Sequence, residues 1–436
     1  MYEFASHCDA SQTIIDSMGR TAAHLEAMFE RLQAPFSHYG RIIQSIDCAS
    51  REPLSVLGAL PRTDKLTYRT VLGHEALENV GGESFVTDFS SGSYSRPVLR
   101  FCRAVDDLCE QEATERALRR AGIGMQDRLA FVDVGAAQIY DFYARAARGL
   151  GVADIVFLPL TSSFEPAVKS LAALRPSIVF TIPSLIARIW RRLEATDLSE
   201  YPPRLVISVG EPISTALRAT VKDAWHCRVM SFFGTTETGG FAGECQCEDG
   251  HHFDPCENVV TIGAARRIDD FTIQGELLVT TPHLRTHGVI KYAVGDIVRV
   301  SLRPCACGEP TPRLWYVRRT QDAFTFAGES FTYDMICETL RKVAPLLHSV
   351  TLEIDEPCDR SEQVLLRAVI PDEFRSLRAP LARVLREDIF ELDCLVRYGL
   401  VHIEVVCTAQ VASRRATGRK EHRLIDLRVR QPGQEG

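Results

Sequence analysis

The sequence predicts an α/β fold: a large N-terminal domain on a mostly parallel βαβ sheet with a β-rich subdomain, then a small α+β C-terminal domain on a hinge. Three observations predict it. Between residues 128 and 233, short β-branched runs alternate with amphipathic stretches at roughly 25-residue intervals, the mark of right-handed βαβ units. After residue 240 the runs shorten and turn signals crowd in (Asp249-Gly250, Gln274-Gly275, Val294-Gly295-Asp296), which reads as a β layer. From about residue 322 helix and strand patterns mix again, placing the domains at 1–320 and 321–436.

Residues 1–35 read as helix, with Leu25, Met28, Phe29 and Leu32 at helical spacing. The expected parallel strands are 129–134, 155–158, 178–181, 205–208 and 229–232, and the helices between them 140–150, 165–174, 185–195 and 215–225. In the small domain the pattern gives helices 334–343 and 381–391 and strands 349–354, 362–370 and 400–406.

Composition narrows the function. With 50 basic against 57 acidic residues the net charge is −7, so neither nucleic acid nor a membrane surface is expected as partner. The longest apolar stretch, 177–190, is broken by Pro183 and Arg188 and falls short of the roughly 20 residues a membrane span needs. No basic and apolar leader opens the sequence, so a cytoplasmic location is expected and the 14 cysteines read as thiols or metal ligands before disulfides. Small-molecule chemistry is the default.

Ligands of parallel sheets bind outside the carboxyl ends of the strands. Two such ends carry polar punctuation: Val209-Gly210-Glu211-Pro212 and Phe233-Gly234-Thr235-Thr236-Glu237. The second places a carboxylate and hydroxyls beside glycines; those oxygens suit Mg²⁺, though a solvated glycine-rich turn reads equally well. Upstream, the loop from Thr87 to Pro97 holds six hydroxyls, Gly92 and Arg96, a set able to wrap phosphate oxygens, against the plainer reading of a solvent loop. Asp296, after a tight turn, either accepts from a ribose diol or caps a hairpin. Near the end, seven Lys or Arg between 414 and 430 face two acids, either a solvated face or an anion-handling loop.

In this order the four segments resemble the adenylate-forming superfamily of acyl- and aryl-CoA synthetases, most closely its phenylacetate-CoA ligase branch. Ile182-Pro183-Ser184, Gly210-Glu211-Pro212-Ile213-Ser214 and Thr417-Gly418-Arg419-Lys420 extend the resemblance over essentially the whole chain. It implies that Ser90, Ser91, Gly92 and Ser93 cradle the ATP phosphates with Arg96 beside them, and that Gly210, Glu211 and Pro212 line the adenine. It further implies that Phe233, Gly234 and Thr235 lie between adenine and acyl pocket, Thr236 touches the α-phosphate, Glu237 holds Mg²⁺, Asp296 takes the ribose, and Arg319 reaches the nucleotide. Lys420 becomes the catalytic cation of the mobile small domain, and the hinge falls near Gln321-Asp322.

The implied activity is ATP-dependent activation of a carboxylic acid, of aryl or arylacetyl type, to an acyl-AMP, followed by transfer to a thiol such as CoA. The chain departs from the family at Tyr94 and Ser95, where a threonine and a second glycine are usual, at Gln321 in the hinge pair, and at Gly328-Glu329-Ser330, usually Gly-x-Asn. The adenylation set is the better preserved, so the acceptor stays open among CoA, a carrier-protein thiol and an amine. A catalytically silent, nucleotide-binding relative is the alternative of another class. The sequence is silent on oligomeric state and leaves a homodimer open.

Cys245-Gln246-Cys247 with His251-His252, and later Cys305-Ala306-Cys307, supply thiolates and imidazole suited to tetrahedral structural zinc. The expected ligands are Cys245, His252, Cys305 and Cys307, with Cys247 and His251 as substitutes, a pattern that also resembles the phenylacetate-CoA ligase branch. Buried, unconnected thiols are the plainer reading.

Overall fold

The computed structural model describes residues 12–32, 37–46, 52–73, 75, 85–89, 99–133, 137–159, 165–183, 185–186, 189, 202–210, 213, 215–284, 288–320, 323–326, 329–347, 350–355, 363–408 and 424–427. Helix Gln12–Leu32 opens this set, and its Leu25, Met28 and Phe29 are buried with Leu277 and Val279 in one apolar cluster, as their spacing predicts. Short helical turns His38–Gln44, Pro53–Ala59 and Lys65–Thr67 follow, the last running into a π-helical turn, Tyr68–Leu72.

Strands β1 (Phe85–Phe89) and β2 (Leu99–Arg103) pair antiparallel with Phe89 opposite Leu99. Helix Ala104–Arg120 comes next, and its inward positions are Asp106, Glu110, Thr114 and Leu118. Glu110 forms a buried ion pair with Arg100 of β2.

The parallel layer is β3 (Arg128–Asp133), β4 (Asp154–Pro159), β5 (Ile178–Thr181), β6 (Leu205–Ser208) and β7 (Arg228–Thr235). Every residue of β5 and β6 is buried, which is why these strands read as unbroken apolar runs rather than as alternation. Helices Ala137–Gly149, Glu165–Leu174 and Thr215–Trp225 connect them. Of the helix expected over 185–195, only 185, 186 and 189 lie among the described residues.

The β-rich stretch is not a separate layer. Strand β8 (Gly239–Glu244) folds back antiparallel on β7, and β9 (His251–Phe253), β10 (Val259–Asp269), β11 (Thr272–Thr280), β12 (Tyr292–Ser301) and β13 (Arg313–Arg319) continue one 11-stranded sheet. Its order is β10-β11-β12-β13-β9-β8-β7-β6-β5-β3-β4. The β7–β8 hairpin therefore joins the parallel strands and the later strands in one sheet.

After the expected hinge, whose residues 321–322 lie outside the described set, come the hairpin β14 (Ala323–Phe326) and β15 (Glu329–Thr332) and helix Tyr333–Val343. Strands β16 (Thr351–Asp355), β17 (Val364–Pro371), β18 (Val401–Thr408) and β19 (Leu424–Asp426) form a four-stranded sheet ordered β18-β17-β16-β19. The single helix expected over 381–391 is two, Arg378–Asp388 and Phe390–Arg397, because Ile389 leaves the helix (φ −117°, ψ 93°) to bury its side chain. No helix among the described residues is long and apolar enough to cross a membrane.

At the edge opposite the strand ends of interest, Asp127 ties three parallel strands together. Its carboxylate accepts from Ser177 Oγ (2.8 Å), Arg204 Nε (2.9 Å) and Gly124 N (3.0 Å). Burial pushes this carboxyl up, but these hydrogen bonds outweigh it and hold it below its ordinary value. The depressed group contributes stability that is present above the ordinary carboxylate range near about pH 4 and is lost as pH falls through the folded value. Denaturant titrations of Asp127→Asn should show a loss of about 2 kcal/mol at neutral pH that shrinks toward pH 3.

Candidate functional site

The lip of β7 is shaped by glycines. A Cβ on Gly234 would lie 2.5 Å from the Gly239 carbonyl oxygen and 2.7 Å from Gly240 Cα, so no side chain fits there without moving the turn. Gly239 adopts φ +73°, a left-handed conformation that favours glycine. Between them Thr238 N donates to Thr235 Oγ1 (3.2 Å), closing a turn that leaves Thr235 and Thr236 partly exposed and Glu237 buried. Phe233 stands edge-on to Phe241 and to His251, with ring centroids 5.5 and 6.2 Å apart. At the end of β6, Gly210 is exposed with φ +78°.

Strand β12 faces this lip. Tyr292, Val294 and Asp296 alternate inward along it, as period-2 geometry requires. The Tyr292 hydroxyl donates to Glu237 Oε1 at 2.7 Å. Burial, and then the Glu237 charge, push the Tyr292 phenol far above its ordinary value, so it remains a protonated donor. Lys65 Nζ lies 3.9 Å from the same Glu237 oxygen. Asp296 is buried with Oδ1 3.0 Å from Arg319 Nη1 on β13, its register partner. That oxygen nevertheless accepts no well-directed hydrogen bond, which leaves it chemically available. Burial raises the Asp296 carboxyl while Arg319 pulls the other way; the Asp296 charge in turn raises Arg319, which stays a cation. Gly295 adopts φ +88°, and its carbonyl accepts from Thr320 N (2.8 Å), a backbone bond between the two strands one residue beyond the Asp296–Arg319 pair.

The result is a buried carboxylate, a phenol, a carboxylate–guanidinium pair and an ammonium gathered between β7 and β12. The donor set fits Mg²⁺: Glu237 offers hard oxygens with one already oriented, and Thr236 adds a hydroxyl at the same turn.

A second centre lies where β8, β9 and the β12–β13 turn meet. The ligand atoms of Cys245, His252, Cys305 and Cys307 all lie within 4.8 Å of one another. Cys245 Sγ and Cys305 Sγ are 3.7 Å apart, and Cys307 Sγ is 3.5 Å from His252 Nε2. A tetrahedron with Zn–S of about 2.3 Å and Zn–N of about 2.0 Å has S–S edges near about 3.8 Å and S–N edges near about 3.5 Å, so the residues fit zinc. His252 Nδ1 is 3.1 Å from the Thr311 carbonyl, which accepts its proton and leaves Nε2 facing the sulfurs. Burial, then the nearby Arg120 charge, lowers the His252 imidazole to about 4, so it is the neutral ring that a metal requires. Amides of Cys247 and Glu309 donate to Cys245 and Cys307 Sγ, each at 3.4 Å.

The two expected substitutes take other roles. Cys247 is exposed, and His251 turns away, Nε2 lying 2.8 Å from Ser231 Oγ of β7. Arg313 holds the hairpin through the Asp249 carbonyl (2.9 Å) and stacks on Trp315 (5.1 Å).

Of the residues expected from sequence, Gly210, Phe233, Gly234, Thr235, Thr236, Glu237, Asp296, Arg319 and the four metal ligands are described. Ser90, Ser91, Gly92, Ser93, Arg96, Glu211, Pro212 and Lys420 lie outside the described residues. Sequence reasoning missed Lys65, and it singled out the segment from Lys291 to Asp296 without giving Tyr292 a role. Tyr292 was within reach, since it alternates with Asp296 on one strand; a lysine on a short helix carries no such signal.

Residues 136–282 match a family profile described as AMP-binding enzyme. No curated protein sequence matches the chain. Among solved structures, 2-hydroxyisobutyryl-CoA ligase in complex with 2-HIB-AMP and CoA in the thioesterification state is similar over 94% of this chain and 90% of its own (TM-score 0.68, 17% identity). The amide bond synthetase McbA from Marinactinospora thermotolerans covers 76% of this chain and 66% of its own (TM-score 0.51, 17% identity). A malonyl-CoA ligase with methylmalonyl-CoA and AMP bound covers 82% and 77% (TM-score 0.51, 16% identity).

Proposed function

We propose that the chain activates a small carboxylic acid as acyl-AMP and passes the acyl group to a thiol, a reading supported by the AMP-binding enzyme profile over residues 136–282 and by the fold shared with a CoA ligase. The observation that carries this reading is the pairing of Glu237 with Tyr292 and of Asp296 with Arg319 across β7, β12 and β13. In the first half-reaction a carboxylate oxygen of the acid attacks the α-phosphorus of ATP, the α–β phosphoanhydride bond breaks, and pyrophosphate leaves. In the second, a thiolate attacks the acyl carbonyl and AMP leaves.

Each residue has a task in that chemistry. Asp296 holds the ribose hydroxyls, and the Arg319 cation opposes the upward push that burial gives that carboxyl. Gly234 lets the backbone approach the nucleotide, Phe233 walls the acid pocket, and Thr236 donates to the α-phosphate. Glu237, oriented by Tyr292, would hold Mg²⁺, which would supply positive charge to the phosphates. Ser90, Ser91, Gly92, Ser93 and Arg96 bind the outer phosphates, Glu211 and Pro212 flank the adenine, and Lys420 supplies positive charge from the small domain (321–436). Cys245, His252, Cys305 and Cys307 would hold a structural zinc, since adenylation needs no water-activating metal and four protein donors would leave no open position for water. Their spacing supports the phenylacetate-CoA ligase branch and, with it, an aryl or arylacetyl acid.

A second acceptor reading, a carrier-protein thiol or an amine, is favoured by Gly328-Glu329-Ser330, which departs from the usual Gly-x-Asn. Acid-dependent exchange of labelled pyrophosphate into ATP tests the first half-reaction with a panel of carboxylic acids. Exchange should appear with at least one aryl acid and fall by about 100-fold or more in Lys420→Ala. Lack of exchange with every acid would favour a silent, nucleotide-binding relative.

A further inference from the structure

We propose that Lys65 is a further catalytic residue: an ammonium delivered from the N-terminal helical segment to bind the polyphosphate of ATP beside Glu237. The proposal rests on the adenylation reading above. Two groups converge on Glu237 Oε1, the Tyr292 hydroxyl at 2.7 Å and Lys65 Nζ at 3.9 Å. They differ in setting, for the Glu237 side chain is 6% exposed and that of Lys65 40%. The carboxylate is therefore buried, and the ammonium stands at its open side.

The lysine is held there by the backbone that precedes it. Thr63 forms a parallel bridge with Tyr292: Thr63 N donates to the Lys291 carbonyl (3.1 Å) and Ala293 N to the Thr63 carbonyl (2.8 Å). Thr63 Oγ1 donates to the Ile290 carbonyl (2.7 Å) and is met by Tyr39 Oη (2.9 Å). Asp64 Oδ1 then accepts from Thr67 N (2.7 Å), capping the turn that starts at Lys65. The segment bearing Lys65 is thus pinned to the strand that orients Glu237.

A separation of 3.9 Å is too long for a direct hydrogen bond, and a half-exposed pair of this kind contributes little to stability. The distance has a chemical reading instead. An oxygen sharing Mg²⁺ with Glu237 would lie about 3–4 Å from the carboxylate oxygen, given Mg–O bonds of about 2.1 Å. Lys65 Nζ, 3.9 Å from the same carboxylate oxygen, borders the space such an oxygen would enter. A compact ammonium on a backbone already pinned to β12 suits phosphate.

Calorimetric titration of the full-length protein with MgATP and, separately, magnesium pyrophosphate tests this. Lys65→Ala should raise both dissociation constants about tenfold or more, the scale of one charge-assisted contact, with the gap narrowing as salt rises. Lys65→Arg should recover most of the affinity, and the KM for the acid should stay within about twofold. Unchanged affinity for both phosphate ligands in Lys65→Ala would overturn the assignment, as would a selective rise in the acid's KM. Equal losses in Lys65→Ala and Lys65→Arg with a lowered melting temperature would instead reduce Lys65 to a packing role. If the wild-type chain bound no MgATP, the adenylation reading itself would fail. Tight wild-type binding matched by Lys65→Ala would remove only this proposal.

Discussion

Glu237→Gln should lower acid-dependent pyrophosphate exchange by about 100- to 1000-fold while leaving the fold intact. The amide replaces the carboxylate at nearly constant shape and can still accept from Tyr292 Oη, now 2.7 Å from Oε1, so the turn after β7 keeps its anchor. What disappears is the negative charge that would hold Mg²⁺. Thermal unfolding should therefore shift little, and activity should be partly regained at high Mg²⁺ concentration. Tyr292→Phe acts on the same carboxylate indirectly. It should cost about tenfold, because Glu237 would lose one orienting hydrogen bond but keep its charge. A smaller effect in Glu237→Gln than in Tyr292→Phe would reverse the roles assigned to the pair.

The parallel half of the fold was legible because both faces of β5 and β6 are buried, so every position is apolar and the runs stand out. Helix Ala104–Arg120 was not. Its inward face carries Asp106, Glu110 and Thr114, and the burial of Glu110 is compensated by Arg100, a partner that only the folded chain brings near. The continuity of the β-rich stretch with the parallel sheet was hidden for a similar reason, since it depends on β8 folding back on β7. Within the site, Glu237, Asp296 and the cysteines stood out as polar or metal-type residues at turns. Nothing in the sequence assigns a role to Tyr292 or Lys65, because their significance comes from convergence on one oxygen, a tertiary fact.

Cys305→Ala should abolish stoichiometric zinc binding, measured by atomic emission, and lower stability by several kcal/mol. Metal binding to a site absent from the unfolded chain is folding free energy, with apparent values of about 10–16 kcal/mol in isolated zinc-finger peptides. The loss here should be smaller, since Arg313 continues to hold the Asp249 carbonyl at 2.9 Å and part of the hairpin survives. Cys247→Ala is the matched control: that cysteine is exposed and outside the four-residue cluster, so zinc content should not change. The damage should also reach the lip of β7. His252 is followed backward along β9 by His251, whose Nε2 lies 2.8 Å from Ser231 Oγ of β7 and whose ring packs 6.2 Å from that of Phe233. Releasing His252 loosens β9, and with it the support behind Phe233. Chelator-treated protein should therefore lose affinity for the acid before it unfolds, whereas His251→Phe, with zinc still bound, should weaken acid binding without changing metal content. Retention of zinc in Cys305→Ala would break the ligand assignment, and unchanged acid affinity in His251→Phe would break the link from the zinc centre to the site.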